Sequence, residues 1–304
     1  MMPPKTPVRK RSRNPSCGET ATIHCNSFGL RLEIRVPEDL RARTASVLPP
    51  GGRQSRVRPG REPGGATRKY RLTRKGGPGQ VRSYCLYRGR VMLTRSATSD
   101  AVLDALERDI QHYVAEHALD RIFVHAGTVG WKGKALLVPG RSRSGKSTLV
   151  AALVRRGAVY YSDEYAVLDR RGRVHPYARP LSLRENTGGS VRIDPHALLP
   201  RRGEARPNPR VGRGSPAPVR RPPLPVGWVL VTRYERRAAW RARELSPGRA
   251  LLALLENTVA ARGRSGEVMP ALARAVAGAR TLSGLRGEAT PFARRLLFQL
   301  EREQ

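Results

Sequence analysis

The sequence predicts an α/β fold, and two observations support this class. Short runs in which apolar and polar residues alternate, typical of strands, occur between segments whose apolar residues recur at helical spacing. In addition, the apolar run at 135–139 leads into a glycine-containing loop and then into a helix-like segment at 147–156. This strand–loop–helix order is characteristic of α/β proteins.

The N-terminal part of the chain predicts a disordered tail and then a small α/β region. Residues 1–20 are basic and rich in proline, as expected of a disordered tail, and 21–119 form the small region. Alternation predicts strands at 28–36, 70–74 and 84–94, the last broken by a turn at Arg88-Gly89, with a loop at 48–68. A helix is expected at about 101–118, capped by Ser99-Asp100.

Residues 120–304 form the second predicted region. Strands are expected at 122–129, 135–139, 158–162 and 226–234, with a hairpin-like segment at 165–176. Helices are expected at 147–156, closed by Gly157, and at 246–261, 267–278 and 290–302. The stretch 200–225 holds eight prolines, seven arginines and one acid, which predicts a flexible insertion.

The net charge of +34 has two explanations. Arginine clusters bind nucleic acid, but a GC-rich genome also enriches arginine, and only seven of the 58 basic residues are lysine. The arginines are scattered and aromatic residues make up 5%, whereas nucleic-acid binding concentrates charge on one face. We therefore favour the compositional explanation and predict no nucleic-acid partner.

Cysteine usage and hydropathy limit the cellular environments expected for the chain. Three widely spaced cysteines argue against a disulfide framework, and Cys17, His24 and Cys25 have no fourth ligand near them for zinc. The sequence contains no run of about 18 apolar residues, so we expect no membrane span. The sequence is that expected of a reduced, cytoplasmic protein.

The segment 140–147 satisfies the phosphate-binding pattern G-x-x-x-x-G-K-[ST] between a predicted strand and a predicted helix. Backbone N–H groups of such a loop and the positive end of the helix attract phosphate. Lys146 can reach the β and γ phosphates, and the Ser147 hydroxyl can bind Mg²⁺. The predicted nucleotide-binding residues are Gly140, Arg141, Ser142, Arg143, Ser144, Gly145, Lys146, Ser147 and Thr148.

Two acids follow the next predicted strand. Asp163 and Glu164 lie 17 and 18 residues after Lys146, and we expect their strand to lie beside the strand that precedes the loop. One carboxylate can then hold Mg²⁺ while the other accepts a proton from an attacking hydroxyl. The alternative is a helix or turn cap. His125 ends another strand-like run, and a lone histidine is more often a packing residue than a catalytic one.

These segments together resemble the HPr kinase/phosphorylase family and, more closely, its HPr-kinase-related branch. The resemblance rests on H-A-G-T-V at 125–129, the loop, the R-R-G that ends the helix, and S-D-E at 162–164. Order and spacing match over roughly 120–185, and the general layout matches from about 28 to 300. The front region resembles the short α/β extension of the related branch.

The resemblance implies a P-loop kinase core similar to the HPr kinase C-terminal domain and to phosphoenolpyruvate carboxykinase, with a mixed sheet and flanking helices. ATP and Mg²⁺ would bind at the loop, and the γ phosphate would pass to a serine hydroxyl of a protein or peptide. By position, Asp163 resembles the base, Glu164 the metal-side acid, and His125 a residue near the transferred phosphate. Assembly into a homo-oligomer is also implied.

Three departures from the family pattern matter. Arg143 replaces a glycine of the loop, and Glu164 replaces an aspartate. The family's E-I-R-G element has its nearest match at 180–185, where Arg184 could stand for the arginine but Ser182 occupies the glutamate position. This argues against phosphorylase activity. Two alternatives stay open. One is a P-loop kinase of a small metabolite. The other is a nucleotide-binding regulatory protein without phosphoryl transfer, which contacts nucleic acid or an acidic partner through its arginines.

Overall fold

The computed structural model describes residues 20–50, 53–54, 67–76, 83–141, 144–184, 190–198, 221–261 and 263–302. The predicted tail at 1–20 therefore lies outside the described residues except for Thr20, as does the predicted insertion up to residue 220. Within these ranges the chain is a mixed α/β protein with two large mixed sheets and flanking helices, as the sequence predicts.

The first sheet uses six strands of the N-terminal third: β1 (Thr20–Ser27), β2 (Leu30–Pro37), β3 (Arg53–Gln54), β4 (Thr67–Lys75), β5 (Ser83–Arg88) and β6 (Val91–Ser96). Their order is β3-β1-β2-β4-β5-β6, with β2–β4 as the parallel pair. A short helix, α1 (Arg41–Ala45), follows β2 after a 3₁₀ turn at Glu38–Leu40. The long helix α2 (Ser99–His117) packs on the sheet because its apolar residues repeat at helical spacing and are buried, as at Val102, Leu106 and Ile110.

The remaining strands are β7 (Ile122–Trp131), β8 (Lys134–Pro139), β9 (Val159–Ser162), β10 (Tyr165–Leu168), β11 (Val174–His175), β12 (Leu181–Arg184), β13 (Ser190–Ile193), β14 (Val226–Tyr234), β15 (Arg243–Glu244) and β16 (Arg280–Arg286). Strands β12 and β13 form a separate antiparallel pair. The others form the second sheet in the order β11-β10-β7-β8-β14-β16-β15, with β9 also paired to β7.

Helices cover both faces of the second sheet. They are α3 (Lys146–Val154), α4 (Pro247–Glu256), α5 (Ser265–Ala277) and α6 (Ala289–Arg302). Strand β8 shows how the faces divide, since Leu136 and Val138 pack in the core with α3 and α6, while Ala135 and Leu137 pack with α4 and α5. Helix α3 is therefore enclosed, and every residue from Leu149 to Val154 is buried.

Strand directions bring several strand ends to one edge of the second sheet. Strands β8 and β9 are each antiparallel to β7, so they run in the same direction on either side of it. Strands β14 and β16 run parallel to β8. The carboxyl ends of all four strands consequently lie at the same edge, which is where ligands bind in open α/β sheets.

Several sequence expectations need correction. The expectation that β9 would lie beside β8 is wrong, because β7 separates them. Helix α2 is capped by Thr98, whose Oγ1 accepts from Ala101 N at 3.4 Å, in place of the expected Ser99-Asp100. Strands β1 and β16 lie outside the predicted elements. The end of the expected flexible insertion is ordered, since Leu224 exchanges backbone hydrogen bonds of 2.8 and 3.0 Å with Val174.

An aromatic cluster joins the two sheets. It consists of Phe28, from the turn between β1 and β2, and of Phe123, Tyr165 and Tyr177 from the second region. The ring centroids of Phe123 lie 5.3, 5.6 and 5.8 Å from those of Phe28, Tyr165 and Tyr177. The predicted division at 119/120 stays a prediction, but the core of the first sheet crosses it.

None of the described helices combines the length and the apolar character that a membrane crossing requires.

Candidate functional site

The loop between β8 and α3 turns at Gly145. This residue caps α3 in the left-handed conformation with φ of 80°, and Leu149 N donates to its carbonyl at 3.1 Å. A side chain is strained in this conformation, and a Cβ would also lie only 2.6 Å from Nη2 of Arg286. The backbone conformation therefore favours glycine at this position of the pattern, and the arginine lies close beside it.

Lys146 begins α3 and reaches back over the loop. Its Nζ donates to the carbonyls of Gly140 at 2.6 Å and Arg141 at 2.8 Å. Partial burial lowers the pKa of the ammonium, while the negative charges of Glu164 and Asp163 oppose that shift. The ammonium thus lies beside the N-terminus of a largely buried helix, and helix N-termini attract anions.

Asp163 directly follows β9, and it is 7% exposed. The Tyr160 hydroxyl donates to Oδ1 at 2.9 Å, and Ser182 N donates to Oδ2 at 3.4 Å. Burial raises the pKa of Asp163, and hydrogen bonds from Ser147 and Tyr160 oppose that shift because they stabilise the carboxylate. The carboxylate is therefore held in one orientation, next to the hydroxyl that follows Lys146.

Glu164 and His125 form the more accessible part of the site. The Glu164 side chain is half-exposed, and its Oε1 lies 3.9 Å from Nδ1 of His125, whose ring lies 4.7 Å from that of Tyr165. Burial first, and then the charge of Asp163, raise the pKa of Glu164. Burial and the positive charge of Lys146 lower the pKa of His125. The histidine is therefore uncharged at neutral pH.

Gly127 allows the loop helix to approach β7, the strand between β8 and the acids. A Cβ on Gly127 would lie 2.7 Å from Cγ2 of Val150 and 3.6 Å from Cβ of Lys146. On the same side of β7, the His125 carbonyl accepts from Gly140 N at 3.2 Å. The intervening strand thus brings the loop and the acids together even though β8 and β9 are not neighbours.

The structure describes the remaining predicted site residues to different extents. Arg141 and Thr148 are exposed, and Ser144 is partly buried. Ser142 and Arg143 lie outside the described residues. Arg184 ends β12, but its side chain lies outside what the structure describes, so its predicted role stays a prediction.

Five residues at or around the site escaped the sequence reasoning. Tyr160 is one, and its hydroxyl lies 3.0 Å from the carbonyl of Arg179 as well as beside Asp163. The Arg179 side chain pairs with Glu107 of α2, which also pairs with Arg192 of β13. The sequence carries no local signal for pairs this far apart. The fifth residue, Arg286, comes from the end of β16.

The oxygen donors fit magnesium better than a transition metal. No three His, Cys, Asp or Glu side chains in the described part of the chain group closely enough to hold a metal ion by themselves. Magnesium does not need such a cage, because it keeps several waters and uses one or two carboxylates together with substrate phosphates. The Ser147 hydroxyl and the Asp163 carboxylate are donors of this kind.

The chain matches no model of a known protein family and no curated protein sequence.

Proposed function

We propose that this protein is an ATP- and Mg²⁺-dependent kinase, related to the HPr-kinase-related branch, that phosphorylates a serine of a protein or peptide. One observation carries the proposal. A loop of the phosphate-binding pattern lies at the carboxyl edge of the sheet, and Ser147 at the start of its helix lowers the pKa of the buried Asp163 carboxyl against the effect of burial. This pairing of loop hydroxyl and buried aspartate is the arrangement by which P-loop enzymes hold their metal.

The chain's own groups bind and orient the phosphates. The N–H groups at the start of α3 have no partners within the helix and attract anions. Lys146 exchanges its contacts with the carbonyls of Gly140 and Arg141 for phosphate oxygens. Because every residue of α3 from Leu149 to Val154 is buried, the start of the helix is held in place when the nucleotide binds.

Ser147 and Asp163 would hold the magnesium ion, which would supply neutralisation of the charge that develops on the phosphates. The buried position of Asp163 suits this task, because both of its oxygens are already oriented by Tyr160 and Ser182. A fixed carboxylate is well placed to orient a metal but has little freedom to follow a moving proton.

Glu164 is the better candidate for the base that takes the serine proton. It is half-exposed, its raised pKa strengthens it as a proton acceptor, and it adjoins the uncharged His125. This assignment exchanges the two roles that the family resemblance gives to Asp163 and Glu164. His125 positions Glu164 and the acceptor side of the transferred phosphate.

The strand order bears on the small-metabolite alternative, for which a strand order of the nucleoside-kinase type would count in favour. In this protein the acids follow β9, which β7 separates from the loop strand β8. The nucleotide-binding regulatory alternative keeps one favourable observation, the burial of Asp163 with both oxygens engaged. Binding of ATP without turnover would identify it.

The test uses γ-labelled ATP, Mg²⁺ and peptide libraries with a fixed central serine. We expect label on serine peptides, none on matched libraries with central alanine, and loss of transfer in Lys146→Ala, Asp163→Asn and Glu164→Gln. Lys146→Ala should also lose ATP binding, whereas Glu164→Gln should retain it. Transfer that survives Lys146→Ala and Asp163→Asn would contradict the proposal.

A further inference from the structure

Arg286 is a buried cation at the loop. It ends β16, is 2% exposed, and lies at the same sheet edge as the loop because β16 runs parallel to β14 and β14 parallel to β8. Its Nη2 donates to the Ser144 carbonyl at 3.0 Å, and its guanidinium carbon lies 5.6 Å from the ring centroid of Tyr234.

The hydrogen-bonding capacity of Arg286 is incompletely used. Its Nε is buried and has no hydrogen-bond partner, and no carboxylate of the described ranges lies within ion-pair distance of its guanidinium. The nearby Glu288 accepts a hydrogen bond of 2.7 Å from the Tyr234 hydroxyl. Burial lowers the pKa of Arg286, while the charges of Tyr234 and Glu288 oppose that shift without an ion pair to the guanidinium.

A buried charge without a counter-charge is costly, so such groups in proteins are normally paired. Arg179 shows the paired case in this molecule, since it is equally enclosed and contacts Glu107 directly. Arg286 instead contacts a backbone carbonyl of the loop and passes within 2.6 Å of the Cβ position of Gly145. Among the described residues no carboxylate lies within ion-pair distance of Arg286, and an anion bound at the loop would supply that contact.

We propose that Arg286 is a phosphate-binding residue of this site, which pairs with the polyphosphate of a nucleoside di- or triphosphate held between it and Lys146. The proposal rests on the proposed function, since it requires the loop to bind phosphate. It adds to the loop a second cation that lies 140 residues after Lys146 in the sequence. An arginine suits this task because its planar fork can contact two phosphate oxygens together.

The experiment separates the effect of the Arg286 charge from that of its hydrogen bond to the loop backbone. Arg286→Gln keeps a neutral donor for the Ser144 carbonyl but removes the charge, and Arg286→Lys keeps the charge. The probes for the full-length protein are Mg-ATP and inorganic tripolyphosphate, measured by titration calorimetry, with unfolding midpoints measured without ligand. Arg264→Gln is the control, because Arg264 also donates to backbone carbonyls, of Leu119 and Arg121, but away from the loop.

We expect Arg286→Gln to lose about 10- to 100-fold affinity for both probes, the range for a hydrogen bond to a charged group. Its unfolding midpoint without ligand should be unchanged or higher, because an unpaired buried charge is gone. Arg286→Lys should retain more affinity than Arg286→Gln, and Arg264→Gln should bind as the unmodified protein does.

Three outcomes are decisive. If Arg286→Gln binds both probes as tightly as the unmodified protein while Lys146→Ala does not, the inference is wrong and the proposed function stands. Equal losses in Arg286→Gln and Arg286→Lys would also overturn it, because shape and not charge would then matter. If the unmodified protein binds neither probe, or Lys146→Ala binds as well, the proposed function itself fails.

Discussion

Gly127→Ala tests whether close approach of α3 to β7 builds the site. The new Cβ would lie 2.7 Å from Cγ2 of Val150, whereas carbon atoms in contact prefer about 3.5–4.0 Å. Helix or strand must therefore move by about 1 Å, and overpacking of this kind costs about 1–3 kcal/mol. Because Lys146 Cβ is 3.6 Å from the same point, the movement should also weaken Mg-ATP binding.

A double-mutant cycle with Val150→Ala isolates the contact. Removing the two methyl groups alone should cost about 2 kcal/mol, at about 0.8 per carbon. In that background Gly127→Ala should cost less than about 0.5 kcal/mol, since its steric partner is gone. Gly248→Ala is the matched control, because no atom lies within 4 Å of its Cβ position. Urea unfolding measures each variant, and an equal cost of Gly127→Ala in both backgrounds would refute the reasoning.

The remaining predictions concern a buried ion pair and the pH dependence. Glu107→Gln leaves Arg179 and Arg192 without their counter-charge, so we expect a loss of about 3–5 kcal/mol in urea unfolding. The exposed Glu116→Gln should change stability by less than about 0.5 kcal/mol, and a similar value for Glu107→Gln would contradict the prediction. Because Glu164 must be deprotonated to act as a base, kcat/KM should rise with pH through a pKa above the ordinary glutamate value. This limb should disappear in Glu164→Gln, and a limb that persists in that variant would refute the assignment.

Local patterns predict much of the second region. The segments that form β7, β8 and β14 have apolar residues facing both sides of the sheet, as expected of strands covered by helices. The phosphate-binding pattern, in turn, is typically flanked by a strand and a helix, which predicts β8 and α3. Strand β1 also has a readable signal, since Ala21, Ile23 and Cys25 alternate with exposed or partly exposed residues. Because β1 adjoins the basic segment at 1–20, its alternation is easily overlooked.

Strand order and long-range partners have no such signal. The position of β7 between β8 and β9 depends on how α3 crosses the sheet, which no residue in the loop encodes. Arg286 meets Ser144 because β14 and β16 run parallel to β8, and the residues around Arg286 predict only the helix that follows. The position of a strand end in the sheet, more than the residue type, determines which side chains reach the loop.

The aromatic cluster has a practical consequence for handling this protein. A fragment that begins at residue 120 would retain Phe123, Tyr165 and Tyr177 but lose Phe28 and the sheet that covers them. Three large rings would then face water beside His125, whose own ring lies on Tyr165. Such a fragment should aggregate and should not preserve the geometry of the site. The front region therefore covers apolar side chains of the region that follows it, and biochemical work requires both regions together.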